Sequence, residues 1–86
     1  MTGSYEIRIR RSAEKEIRDL PRDVRLRVVN RIRDLAADPR PKGCEKLAGV
    51  DGYRIRVSAY RIVYTIEDRV LLVEIVRVAH RREVYR

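Results

Sequence analysis

Tyr53-Arg54-Ile55-Arg56-Val57-Ser58-Ala59-Tyr60-Arg61-Ile62-Val63-Tyr64 is the stretch whose reading decides the fold. Tyr53, Ile55 and Val57 alternate with Arg54 and Arg56, and Tyr60, Ile62 and Tyr64 alternate with Arg61 and Val63, the two-residue period of strands with two different faces. A hairpin closing through Ser58-Ala59 sets Arg56 opposite Arg61 and Arg54 opposite Val63. One face is then apolar and the other carries three arginines. Like charges directly opposite destabilise a sheet, so this arrangement points to a compensating ligand. Guanidinium groups present five donors in a rigid fork that suits phosphate oxygens, and phosphodiester binding is the first functional expectation.

Downstream, Asp68-Arg69 reads as a second hairpin turn between strands Tyr60 to Glu67 and Val70 to Ala79. This register sets Ile62 against Ile75, Tyr64 against Val73 and Ile66 against Leu71. With Ile55 and Val57 they form a continuous apolar wall. The opposite side carries Arg54, Arg56, Arg61, Thr65, Glu67 and Glu74 among Val63, Val70, Leu72, Val76 and Val78, a mixture that marks an interaction face.

Upstream, Tyr5, Ile7 and Ile9 alternate with Glu6, Arg8 and Arg10 as a short strand. Ser12 is placed as a helix N-cap, with Glu14 and Glu16 in the first turn and Ala13, Ile17 and Leu20 at helical spacing before Pro21. A second helix is predicted from Arg22 to Ala37. Its buried stripe is Val24, Val28, Ile32, Leu35 and Ala36, widened by Leu26 and Val29. Asp38-Pro39-Arg40-Pro41-Lys42-Gly43 is loop, leading through Cys44-Glu45-Lys46 to Leu47, and Gly49, Asp51 and Gly52 mark a further turn. The order is β-α-α-β-β-β with a short C-terminal tail. The expected fold is α+β, a helical hairpin packed on one face of a small, mostly antiparallel four-stranded sheet.

At 86 residues the chain makes one domain, residues 1–86, near the size at which one core supplies only a few kcal/mol. Charged residues are 40% of the chain, against about 25% in an ordinary domain, and the net charge is +8. Nucleic acid, an anionic membrane or an acidic protein would each balance that charge. No stretch reads as a signal peptide or as a membrane span, so a cytoplasmic protein without a membrane partner is expected. One cysteine, Cys44, precludes an internal disulfide, and with the single histidine His80 it cannot supply the usual Cys/His zinc sets. No metal or other cofactor is expected.

The two arginine strands, read together with the ending Val78-Ala79-His80-Arg81-Arg82-Glu83-Val84-Tyr85, resemble the RelE toxins of the RelE/ParE superfamily over almost the entire chain. That resemblance implies the toxin of a type II toxin–antitoxin pair, a metal-independent endoribonuclease that cleaves messenger RNA in the ribosomal A site. It also implies a RelB-like antitoxin, with operator DNA bound only through the antitoxin complex. Carried over by position, the candidate catalytic residues are Arg54, Arg56, Arg61, Arg81 and Tyr85. Arg54 and Arg56 stand where the best-studied members have lysines, which keeps the charge but removes a titratable ammonium. The spacing from Arg81 to Tyr85 is shorter than in the best-known member.

In the implied reaction the ribose 2′-hydroxyl attacks the adjacent phosphorus, leaving a 2′,3′-cyclic phosphate and a 5′-hydroxyl. It needs a base, cations for the phosphorane charge, and an acid for the leaving oxygen. Arg61 and Arg81 suit the charge. Tyr85 is the leading base, since nearby cations favour a phenolate whose free pKa is about 10; His80, with an ordinary pKa of about 6.5, is the alternative and a possible auxiliary residue. Arg81 is the family's candidate acid, although a guanidinium is a poor proton donor. Tyr53, Tyr60 and Tyr64 belong to the helix-facing side and read as core. Arg22, Arg25, Arg27, Arg31 and Arg33 read as the wet face of the second helix, and Cys44 as a thiol without a catalytic partner. A ParE-like inhibitor of DNA gyrase and a non-catalytic nucleic-acid-binding module are the competing readings.

Overall fold

A computed structural model describes residues 4–80 and 82. The elements are β1 (Glu6–Ile9), α1 (Arg11–Arg18), α2 (Arg22–Ala37), β2 (Glu45–Lys46), β3 (Tyr53–Val57), β4 (Tyr60–Glu67) and β5 (Leu72–His80), with a 3-10 turn at Asp68–Val70. Among the described residues the sheet has five strands in the order β1-β5-β4-β3-β2, with β1 parallel to β5 and every other pair antiparallel. The helical hairpin covers one face, α1 against β5 and α2 against β1, β3 and β5. No described helix is long and apolar enough to cross a membrane.

The core follows the two periodicities. Val28, Ile32 and Leu35 of α2 and Ala13 and Ile17 of α1 meet Ile55, Val57, Ile62, Tyr64, Val73, Ile75 and Val78 from the sheet. Truncating a side chain as enclosed as Leu35 to alanine costs about 2–5 kcal/mol. The Tyr64 hydroxyl, inside this core, donates to the Pro39 carbonyl at 2.8 Å, as a buried phenol must. That bond also holds the loop after α2 onto the sheet. Leu26 is the exception to the stripe, since it lies 58% exposed on the outer side of α2.

The β3–β4 hairpin has the register read from its alternation, with Arg56 opposite Arg61 and Arg54 opposite Val63. Ser58 takes φ of 56°, the left-handed backbone that a two-residue hairpin loop demands. The β4–β5 register differs from the expected one. Asp68 and Arg69 do not make a two-residue turn; Asp68–Val70 winds into 3-10 geometry and Leu71 turns left-handed, so β5 begins two residues later. Ile66 consequently faces Val73, and Tyr64 faces Ile75. Between Val63 and Tyr64 the register shifts again, because Val63 pairs with Arg77 and Val76 becomes an extra residue. One extra residue inverts the alternation. Val78, expected on the arginine face, is therefore 2% exposed in the core.

Two smaller corrections are local. Glu45 and Lys46, expected as loop, pair with Arg54 and Tyr53 as a fifth strand, too short to show alternation. α1 starts at Arg11 with Arg10 in the N-cap position, so Ser12 lies inside the helix and makes no cap.

Candidate functional site

β3 and β4 present Arg54, Arg56 and Arg61 on the sheet face away from the helices. Arg61 is 4% exposed, an unusual depth for a charged group, with Arg56 across one ladder and Ala79 across the other. Arg54 is half-buried, opposite Val63 on one side and Glu45 on the other. Arg56, the exposed one, reaches the sheet edge, where it lines an open groove of about 310 Å³ with Val57 and with Arg27, Asn30 and Arg31 of α2. The arginine face and the basic face of α2 thus meet at Arg56.

Glu45 is the carboxylate of this face. Its Oε1 accepts a hydrogen bond from Arg54 Nε at 2.7 Å. Arg54 is the largest cause holding the Glu45 carboxyl below the ordinary glutamate range, and the charges of Arg56 and Arg61 add to it. Three guanidinium groups therefore act on one anion, which measures how closely β2, β3 and β4 gather them. Reading the sequence missed Glu45. The only available signal was an acidic residue nine positions before Arg54 across a glycine-containing turn.

Glu74, on the same face, accepts from Arg10 at 3.5 Å, the neighbouring-guanidinium pairing its position suggests. His80 lies elsewhere. It is opposite Tyr60, with the two rings edge to face at 5.5 Å, and so shares the helix-facing side of β4 and β5 rather than the arginine side. Its Nδ1 accepts from the Arg82 backbone N–H at 3.4 Å. Arg81 and Tyr85 lie outside the described residues, as does Glu83. Tyr53 stacks on Tyr64 with ring centres 5.9 Å apart, and both belong with the core. Cys44 is half-buried against that core. Among the described residues, no three His, Cys, Asp or Glu side chains group as a metal site.

At the far end of β3 and β4, Arg40 makes a second, structural constellation. It donates to both carboxylate oxygens of Asp68, at 3.2 and 2.9 Å, and through Nε to the Tyr53 hydroxyl at 3.2 Å. Tyr5 donates to the same Asp68 carboxylate at 2.7 Å. Asp68 is held below the ordinary aspartate range, first by Arg40 and then by Tyr5. The group ties the loop after α2, the 3-10 turn and the N-terminal strand together, remote from Arg61.

Comparison with known proteins agrees with this geometry. A family model described as the ParE toxin of the type II toxin-antitoxin system, parDE, matches residues 7–85. The isolated E. coli RelE toxin shares 32% identity over 95% of this chain and 92% of its own, with a TM-score of 0.79. The intact E. coli RelBE toxin-antitoxin complex matches at 31% identity and a TM-score of 0.78, over 90% of this chain and 96% of that one. The RelBE2 toxin-antitoxin complex of Mycobacterium tuberculosis matches at 28% identity and a TM-score of 0.80, over 90% and 98%. No curated protein sequence matches the chain. With the family model covering nearly the full length, and the helical hairpin on its sheet shared with RelE, the chain belongs to the RelE/ParE superfamily of type II toxin–antitoxin toxins.

Proposed function

We propose that this toxin is a ribosome-dependent endoribonuclease that cuts messenger RNA in the ribosomal A site and so inhibits translation in the cytoplasm. The observation that carries the reading is the burial of Arg61 directly opposite Arg56 and alongside Arg54. The like-charge ladder pair of Arg56 and Arg61 is unfavourable in itself and suits a substrate whose charge rises during reaction. Attack of the 2′-oxygen on phosphorus forms a phosphorane with an additional negative charge, and guanidinium donors already fixed in place stabilise it without reorganising. Arg61 and Arg81 take that role, with Arg54 and Arg56 holding the flanking phosphates. The proton of the 2′-hydroxyl passes to Tyr85 as base, the 5′-oxygen leaves with a proton from an acid, and the products are a 2′,3′-cyclic phosphate and a 5′-hydroxyl. The chemistry draws on no metal.

A RelB-like antitoxin is the partner that silences the toxin. Support comes from the relatives at 28% and 31% identity, whose structures are toxin-antitoxin complexes. Operator DNA is bound through that complex. The deciding experiment translates a defined message in a cell-free system with purified toxin and maps 5′ ends by primer extension. A-site cuts that vanish with Arg61→Ala or Arg81→Ala and persist with Arg27→Ala support the reading, and Tyr85→Phe isolates the phenol. The family model's ParE description favours a second reading, inhibition of DNA gyrase. Intact message together with blocked supercoiling would select it.

A further inference from the structure

We infer that Glu16 of α1 is a positioning residue for the RNA-cleaving site, acting through the β5 bulge; this rests on the nuclease reading. β1 accompanies β5 only as far as Ile75, so among the described residues no strand flanks the remainder of β5 on that side. An exposed strand edge there would leave backbone donors to solvent. Glu16 takes the place of the missing strand. Its Oε1 accepts the Val78 backbone N–H at 2.7 Å and its Oε2 accepts Arg77 Nε at 3.3 Å. Both lie immediately after the extra residue, Val76.

The bulge decides which face each later residue takes. With it, Val78 enters the core, Ala79 lies opposite Arg61 and His80 lies opposite Tyr60. Without it the assignments reverse, putting Val78 outward and Ala79 under the helices. The small side chain opposite Arg61 stands there only because the phase has changed, and Arg81 follows two positions further along the chain. A carboxylate bound to both residues after the bulge locks that phase. α1, which makes no contribution to the arginine face, thereby aligns it.

The test compares Glu16→Ala with Glu16→Gln. The amide keeps an oxygen for the Val78 N–H, whereas alanine removes it. In the ribosome-programmed cleavage assay we expect kcat to fall about ten- to a hundred-fold in Glu16→Ala, with KM within two-fold, because displacement of about 1 Å near a reacting group has that effect. Glu16→Gln should restore most of the rate. In parallel, amide hydrogen exchange at Val78 should be faster in Glu16→Ala and near wild type in Glu16→Gln, at matched melting temperature. Full cleavage by Glu16→Ala, or a loss of rate that Glu16→Gln fails to rescue, overturns the inference and leaves the nuclease reading standing. If the wild-type toxin cuts no message, the nuclease reading falls, and with it the role of Glu16 in cleavage; unchanged Val78 exchange in Glu16→Ala would overturn the clamp itself.

Discussion

Arg61→Met separates a residue kept for chemistry from one kept for stability. Arg61 is 4% exposed and faces another arginine across a regular ladder pair. Relieving a like-charge cross-strand pair returns about 0.2–1 kcal/mol, and a methionine chain keeps the apolar packing of the arginine stem. Methionine can take the place of the Arg61 stem between Arg56 and Ala79 without a charge. We expect a net gain of about 0.5 kcal/mol, which in a domain of this size raises Tm by about 2–4 °C. Cleavage should fall about 10²–10³-fold, the usual result of removing one fixed donor from a developing charge. Thermal melting and single-turnover cleavage on the same preparations give both quantities. Arg56→Met should stabilise less, because Arg56 is exposed, and the double variant should gain less than the two single gains combined, since both relieve one repulsion. A lower Tm for Arg61→Met, or retained cleavage, would refute the reasoning and make the guanidinium a structural group.

Glu45→Gln removes the anion bound to Arg54 and should tighten binding of single-stranded RNA about two- to five-fold, with a steeper salt dependence by about 0.7 in the log–log slope; fluorescence anisotropy across a salt series measures both. The folded Glu45 carboxyl titrates low, so wild type should behave as the charged form at neutral pH and converge on the variant only as pH falls through that depressed pKa. Tyr64→Phe leaves the Pro39 carbonyl without its 2.8 Å donor and should cost about 1–2 kcal/mol in denaturant unfolding, with cleavage little changed. Asp68→Asn should lower Tm at pH 7. Asp68 has a depressed folded pKa, so its contribution is present above the unfolded value of about 3.9 and is lost as pH falls through the folded one; melting curves of wild type and variant should merge in acid.

Much of this molecule is local enough to be written in its residues. The alternation in Tyr53 to Tyr64 specified two strands, their register and the shared face of Arg54, Arg56 and Arg61, because a two-residue loop leaves one pairing that keeps Ile55 and Ile62 together on the apolar side. The 3.6-residue spacing of Val28, Ile32 and Leu35 likewise specified the buried stripe of α2. The arginine strands, read together with the ending from Val78 to Tyr85, carried the family. What depended on tertiary structure was every feature set by a partner distant in the chain. The turn after Glu67 had no glycine to announce its left-handed Leu71, and Val76 looks like any other strand valine. Its status as an extra residue arises because β5 must match β4 on one side while Glu16, 62 positions before Val78, holds the Val78 backbone on the other. Glu45 became part of the arginine face in the same manner, through a two-residue strand whose only definition is the strand it meets. Periodicity reports which face a residue turns within its own element; the neighbour across a ladder, and the phase after a bulge, are fixed only when separate elements pack.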